Sequence, residues 1–199
     1  MMENRRSSAQ GSREQGFELP YKLACEQLAK INDIEEQCRK SGARYIGPHE
    51  VVVDYLNHPY RITLPKDIPP RHCQADVVSR SNRLPPVFAR ADSSARSNLV
   101  EVPLKDKILI LHYFTLAKGT PAAGKLVTYK QLPGGVSYFP AFYKRAIKPL
   151  VNHFGKNPEL LIKVAAKLGG HEADCGDVSV VINAFSHVPI TLVLWRGDE

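Results

Sequence analysis

The chain lacks any run of about 18 uninterrupted apolar residues, so no segment reads as a bilayer-crossing helix. It has no apolar h-region near its start, which excludes a secretory signal there. Its four cysteines, Cys25, Cys38, Cys73 and Cys175, are far apart and contain no Cys-x-x-Cys pair. These absences read as a cytoplasmic protein with reduced thiols and no membrane partner. They argue against a disulfide framework, a zinc ribbon or a self-contained iron–sulfur site. A Gly-x-Ser-x-Gly nucleophile elbow is missing as well. The nearest approach to a phosphate loop is Gly119-x-x-x-x-Gly124-Lys125, where Leu126 stands in place of the magnesium-binding Ser or Thr. A helix-like segment precedes it where a strand is required, so nucleotide hydrolysis is set aside. There is no internal repeat and no low-complexity tract.

Acid is scarce over one stretch. From Lys118 to Lys167 there are nine Lys or Arg residues against a single acid, Glu159, in a chain of net charge +7. Aromatic residues are interleaved: Tyr129, Tyr138, Phe139, Phe142, Tyr143 and Phe154. A basic field with aromatic faces can take nucleic acid, an anionic cofactor or an acidic protein, with Lys144, Arg145 and Lys148 as the candidate contacts. The plainer reading, which the sequence favours, is a basic surface whose aromatics point into the core.

At 199 residues and 43% hydrophobic content the chain can bury a real core. Residues 1–16 are polar without apolar period and read as a disordered tail, leaving 17–199 as a single domain. Leu23, Ala24, Leu28, Ile31, Ile34 and Cys38 recur at helical spacing, and Gly42 stands at the helix end. Val51, Val53 and Tyr55, then Tyr60, Ile62 and Leu64, predict a hairpin turning at Asn57-His58-Pro59, with His58 as a turn residue. Residues 65–103, punctuated by six prolines and five arginines, read as a long surface excursion. Within it His72-Cys73 is a weak metal signal.

The run 104–118 predicts a central helix buried from Ile108 to Ala117, with His112 on or beside its buried stripe. Leu126–Tyr129 is strand-like. Two amphipathic helices follow, over 140–153 and 158–168, the first kinked or broken by Pro149 and the second ended by Gly169-Gly170. The apolar face of the second is Leu160, Leu161, Val164, Ala165 and Leu168. Val178–Phe185 and Val188–Trp195 predict an antiparallel hairpin across Ser186-His187. Both faces of these strands are fairly apolar, so they are expected to be central and covered on each side. The fold class is therefore α+β, a mainly antiparallel sheet from an N-terminal and a C-terminal hairpin, covered by about four helices.

The densest group of metal- and proton-capable side chains is the junction 169–177. His171, Asp174, Cys175 and Asp177, with Glu172 beside them, are candidate ligands for zinc or iron. Gly169, Gly170 and Gly176 would let backbone approach a ligand closely. The competing account is a helix cap followed by a polar turn, with Asp174 and Asp177 bonding backbone amides.

Several short motifs occur in a fixed order: Ile110-Leu111-His112-Tyr113, Gly124-Lys125, Leu132-Pro133-Gly134-Gly135-x-x-Tyr138-Phe139, Leu168-Gly169-Gly170, Gly176-Asp177 and Val188-Pro189-Ile190…Leu194-Trp195-x-Gly197-Asp198-Glu199. Over about residues 20–199 this set resembles a prokaryotic family known as domain of unknown function 3786. The resemblance implies an anaerobic setting and, from fusions in some members, a link to iron–sulfur modules similar to those of corrinoid proteins. It transfers no catalytic residue. Family members continue past the Gly-Asp-Glu, so an exposed edge on the last strand, pairing with a second copy or a partner, is expected. The leading function is a binding or accessory domain serving a corrinoid or iron–sulfur protein. The alternatives are a metal-dependent enzyme using the 169–177 junction and, resting on charge alone, a nucleic-acid binder.

Overall fold

The computed structural model describes residues 15–64, 86–90, 102–121 and 123–196. The tail expected over 1–16 falls outside them except for Gln15 and Gly16, which begin a short 3-10 turn, Gln15–Phe17. Most of the 65–103 excursion, with His72 and Cys73, also lies outside the described residues. Contacts gather into two compact units, Met1–Thr120 and Pro121–Glu199.

The first unit opens with α1 (Glu18–Leu28) and α2 (Ile34–Ser41). The apolar period of Leu23 to Cys38 reads as one helix, but the chain breaks between them because Asp33 adopts extended backbone and its carboxylate accepts from the Glu36 amide at 3.0 Å. That is an N-cap, which starts a new helix. Gly42 ends α2 at φ 68°, the left-handed cap expected of it.

Strands β1 (Arg44–Gly47), β2 (Glu50–Tyr55), β3 (His58–Thr63) and β4 (Val87–Arg90) form one antiparallel sheet in that order. The predicted hairpin is β2–β3. Its turn is Leu56-Asn57, both at positive φ (50° and 61°), so His58 belongs to the strand, opposite Tyr55. Direct pairing puts Val53, Tyr60 and Arg90 on one face, and Val51, Ile62 and Phe88 on the same face. Val51, Val53 and Ile62 are fully buried there.

Helix α3 (Leu104–Leu116) is the predicted long helix. It is buried along one stripe, Ile110, Leu111 and Phe114, and not from Ile108 to Ala117 throughout. Leu109 and Leu116 are exposed, and so is His112, which was expected on or beside the buried stripe. A helix apolar on most sides can bury only the side that meets a neighbour, here α1, α2 and β2. Its C-terminal carbonyls are held by a buried residue of α2. Gln37 Nε2 donates to Phe114 O at 2.6 Å and to Ala117 O at 3.0 Å, and Tyr113 Oη donates to Ser41 O at 2.6 Å.

The second unit begins with exposed chain. Leu126–Thr128 form no strand, and Tyr129–Gln131 make a 3-10 turn whose Thr128 and Gln131 cap each other. Helix α4 (Gly135–Phe142) starts five residues earlier than predicted, after Gly134 at φ 74°. A Cβ on Gly135 would lie 2.0 Å from Tyr129 O, so only glycine fits there. Between α4 and α5 (Lys148–Phe154) the backbone widens into a π-helical segment, Tyr143–Ile147, with the Lys148 amide bonding Tyr143 O. Pro149, two residues after the segment, has no N–H to offer the Arg145 carbonyl.

Helix α6 (Glu159–Lys167) ends as the glycines predict: the Gly170 amide bonds Ala165 O at 2.9 Å and the Gly169 amide bonds Ala166 O at 3.1 Å. Of its apolar face Leu161 and Ala165 are buried, whereas Leu160 and Val164 are exposed.

A second antiparallel sheet closes the chain, ordered β5 (His171–Glu172), β6 (Val178–Phe185), β7 (Val188–Leu194). The C-terminal hairpin is antiparallel as predicted. It is not covered on both sides throughout. β6 is central and mostly buried, but β7 is an edge strand with no buried residue. A register irregularity lies between Asn183 and Phe185, opposite Pro189, which cannot donate to the ladder. The fold class is thus α+β with antiparallel strands, and the two hairpins lie in separate sheets.

Candidate functional site

At the 169–177 junction the organising residue is one the sequence reading passed over. Ser179, buried in β6, donates from Oγ to Ala173 O at 2.7 Å and accepts from the Cys175 amide at 3.0 Å. Its own carbonyl accepts the Ala173 amide at 3.0 Å. A single hydroxyl among the apolar residues that open the strand was the available signal. Asp177 is engaged from both ends: its amide donates to Leu194 O at 3.2 Å and Oδ2 accepts the Arg196 amide at 2.6 Å. His171 lies exposed on β5 opposite Val181, Asp174 is exposed in the bend, and Cys175 is a half-buried free thiol.

The glycines serve the chain itself. Gly170 packs against Val181 O and Ala165 O. Gly176, at φ 63°, leaves no room for a Cβ, which would meet Val193 Cγ1 at 2.6 Å. Among the described residues no group of three or more His, Cys, Asp or Glu side chains is gathered closely enough to hold a metal ion.

The basic field is laid out differently. Lys125, Lys130, Lys144, Arg145, Lys148, Lys156, Lys163 and Lys167 are all exposed in the second unit, and Lys118 is exposed in the first. Lys144 and Arg145 sit in the π-helical segment and Lys148 opens α5 directly after it. None of the three has a carboxylate partner among the described residues; the ion pairs Arg39–Glu36, Lys40–Glu36, Arg44–Asp54 and Arg61–Glu50 all belong to the first unit.

The aromatics do not retreat into a core. Tyr138 is 49% and Tyr143 47% exposed, and only Phe154 of the six is buried. Tyr129 stacks on Phe142 with centroids 3.8 Å apart and planes at 2°. Lys130 Nζ stands 4.2 Å from the Phe139 ring centre, a cation–π contact. Arg145 donates from Nη1 to Tyr138 Oη at 2.8 Å, so a guanidinium and an exposed ring share one patch.

Elsewhere a cavity of about 330 Å³ opens in the first unit beside Lys30, Asp33, Glu36, Lys40 and Thr115. Three of those charges are engaged within the chain: Asp33 caps α2, and Glu36 pairs with Lys40 as well as with Arg39. Burial pushes the Cys38 thiol up to about 11, and it raises Tyr21, Cys25, Tyr55 and Tyr60 as well. These are groups held neutral by their surroundings, in the first unit and apart from the basic field.

The fold defines a small α+β protein with antiparallel sheets. The chain belongs to the family described as Domain of unknown function (DUF3786), whose model matches residues 89–199. The match takes in the last two residues of β4, α3 and the whole of the second unit, a shorter span than the 20–199 over which the motifs suggest the resemblance. No match was found among curated proteins or among solved structures.

Proposed function

We propose that this protein is a binding or accessory domain that docks an acidic surface of a partner protein through the α4–α5 face of its second unit. The observation that carries the reading is the cluster Lys144, Arg145 and Lys148, exposed and without carboxylate partners among the described residues, beside the exposed rings of Tyr138 and Tyr143. Tyr and Arg around an apolar patch, here with the exposed Val136 and Leu132, are the residues that supply binding energy at protein interfaces. The unopposed positive field supplies steering and selects acidic partners. The resemblance points to a corrinoid or iron–sulfur protein as the partner, in the cytoplasm of an anaerobe. Metal and chromophore analysis of the complex purified after anaerobic expression tests that identity.

A second reading, single-stranded nucleic acid, is favoured by the outward rings, on which bases can stack. One calorimetric titration separates the two, using a polyglutamate-rich peptide and a single-stranded oligonucleotide as probes. The peptide is expected to bind, with affinity falling as salt rises. The triple variant Lys144→Glu/Arg145→Glu/Lys148→Glu is expected to weaken it by about a hundredfold. Peptide binding that is indifferent to the variant, or that is absent while the oligonucleotide binds, overturns the acidic-protein reading.

A further inference from the structure

The second unit also exposes apolar residues along β7, apart from those on and beside its charged helices. Helix α6 packs on β5 and β6, while β7 has β6 as its main neighbour. Val188 and Ile190 stay exposed along it and Trp195 just beyond it. From Ser186 to Trp195 there is no Lys, Arg, Asp or Glu. Edge strands ordinarily carry a charge or a proline that blocks pairing with another chain. Here the one such device, Pro189, lies at the start of the strand, so Ile190–Leu194 is left without one.

We propose that β7 is the contact strand of a homodimer, pairing antiparallel with β7 of a second copy so that two three-stranded sheets run on as one. Three features select a second copy. The strand is neutral in a unit whose helices are strongly basic, so the acidic partner suited to those helices has nothing to pair with here, whereas an identical neutral strand does. A two-fold axis through Ile190–Leu194 makes the pairing antiparallel and identical from both sides, which closes the assembly. At the opposite margin of the sheet, β5 is only two residues long, His171 and Glu172, both exposed and polar, so the pairing is not repeated there to build a fibre.

Light scattering on the full chain at micromolar concentration is expected to give twice the 22.2 kDa chain mass. Ile190→Lys, placing a charge on the exposed face of β7, is expected to shift the protein to monomer with an unchanged far-ultraviolet circular dichroism spectrum. Hydrogen exchange of the wild type needs no variant: amides of residues 190–194 should exchange more slowly as concentration rises. A monomer across the concentration range overturns the proposal. So does a dimer that Ile190→Lys leaves intact, or one whose formation does not slow exchange along β7.

Discussion

Gln37→Met should destabilise the first unit far more than a surface change of the same size. The two side chains have similar length and volume, so packing is preserved while two donors are lost. In the native protein Gln37 Nε2 serves Phe114 O at 2.6 Å, in a buried setting, and Ala117 O at 3.0 Å in a partly buried one. The last carbonyls of a helix have no partner within it, so both depend on what α2 provides. Leaving the buried carbonyl unsatisfied costs about 1–3 kcal/mol, and losing the second bond about 0.5–1.5 kcal/mol, together on the order of 3 kcal/mol. With a urea dependence of about 2 kcal/mol per molar, the midpoint should fall by roughly 1.5 M. Urea unfolding followed by far-ultraviolet circular dichroism reads this directly. Thr115→Val is the control. Its hydroxyl bonds Leu111 O within its own helix at 2.8 Å, so its loss should move the midpoint by under about 0.3 M. A Gln37→Met shift no larger than that of Thr115→Val would refute the account of how α3 is terminated.

Two further outcomes follow from packing and protonation. Gly176→Ala should destabilise the second unit by about 2 kcal/mol or more, because φ 63° alone costs an alanine about 1–2 kcal/mol and its Cβ would meet Val193 Cγ1 at 2.6 Å; faster hydrogen exchange along β6 and β7 reports it. Cys38, buried and pushed up to about 11, should resist iodoacetamide near pH 8 in the folded protein and react once the chain is unfolded, as read by mass spectrometry. The sign of its linkage to stability follows: the contribution of the neutral thiol is intact below the unfolded pKa of about 8.5 and is lost as pH rises through the folded value.

The parts of the fold legible in the sequence were those whose partners lie nearby. Val178–Phe185 and Val188–Leu194 alternate about a two-residue turn, and Val51–Tyr55 meets Tyr60–Ile62 across another. Gly42 and Gly169-Gly170 marked helix ends because left-handed backbone is a local requirement. What escaped notice depended on distant partners. β4 is four residues after a pair of prolines and exists because Tyr60–Thr63 offers a free edge. β1 is mostly exposed, so it carries no alternation to read. Leu126–Thr128 has strand-forming residues and no strand beside it. The break between α1 and α2 was hidden because the apolar period runs across it while the cap rests on one carboxylate. For the candidate site, the charges were visible in the composition, but the outward aim of Tyr138 and Tyr143 was not. Tyr138 lies in α4 and Tyr143 opens the π-helical segment, and apolar period alone does not encode which way their rings point. At the junction, the bonding of Asp177 needed the far end of β7 in view.

Trp195 is the chain's single tryptophan, and it stands 75% exposed beyond the end of β7. Its emission therefore reports on one corner of the second unit. A melt followed by that emission alone would record the loosening of β7. It would also respond to any chain that comes to lie along β7, because a covered indole emits at shorter wavelength and is quenched less by iodide. The same ring is thus a local reporter of folding and a good one for occupancy of the edge.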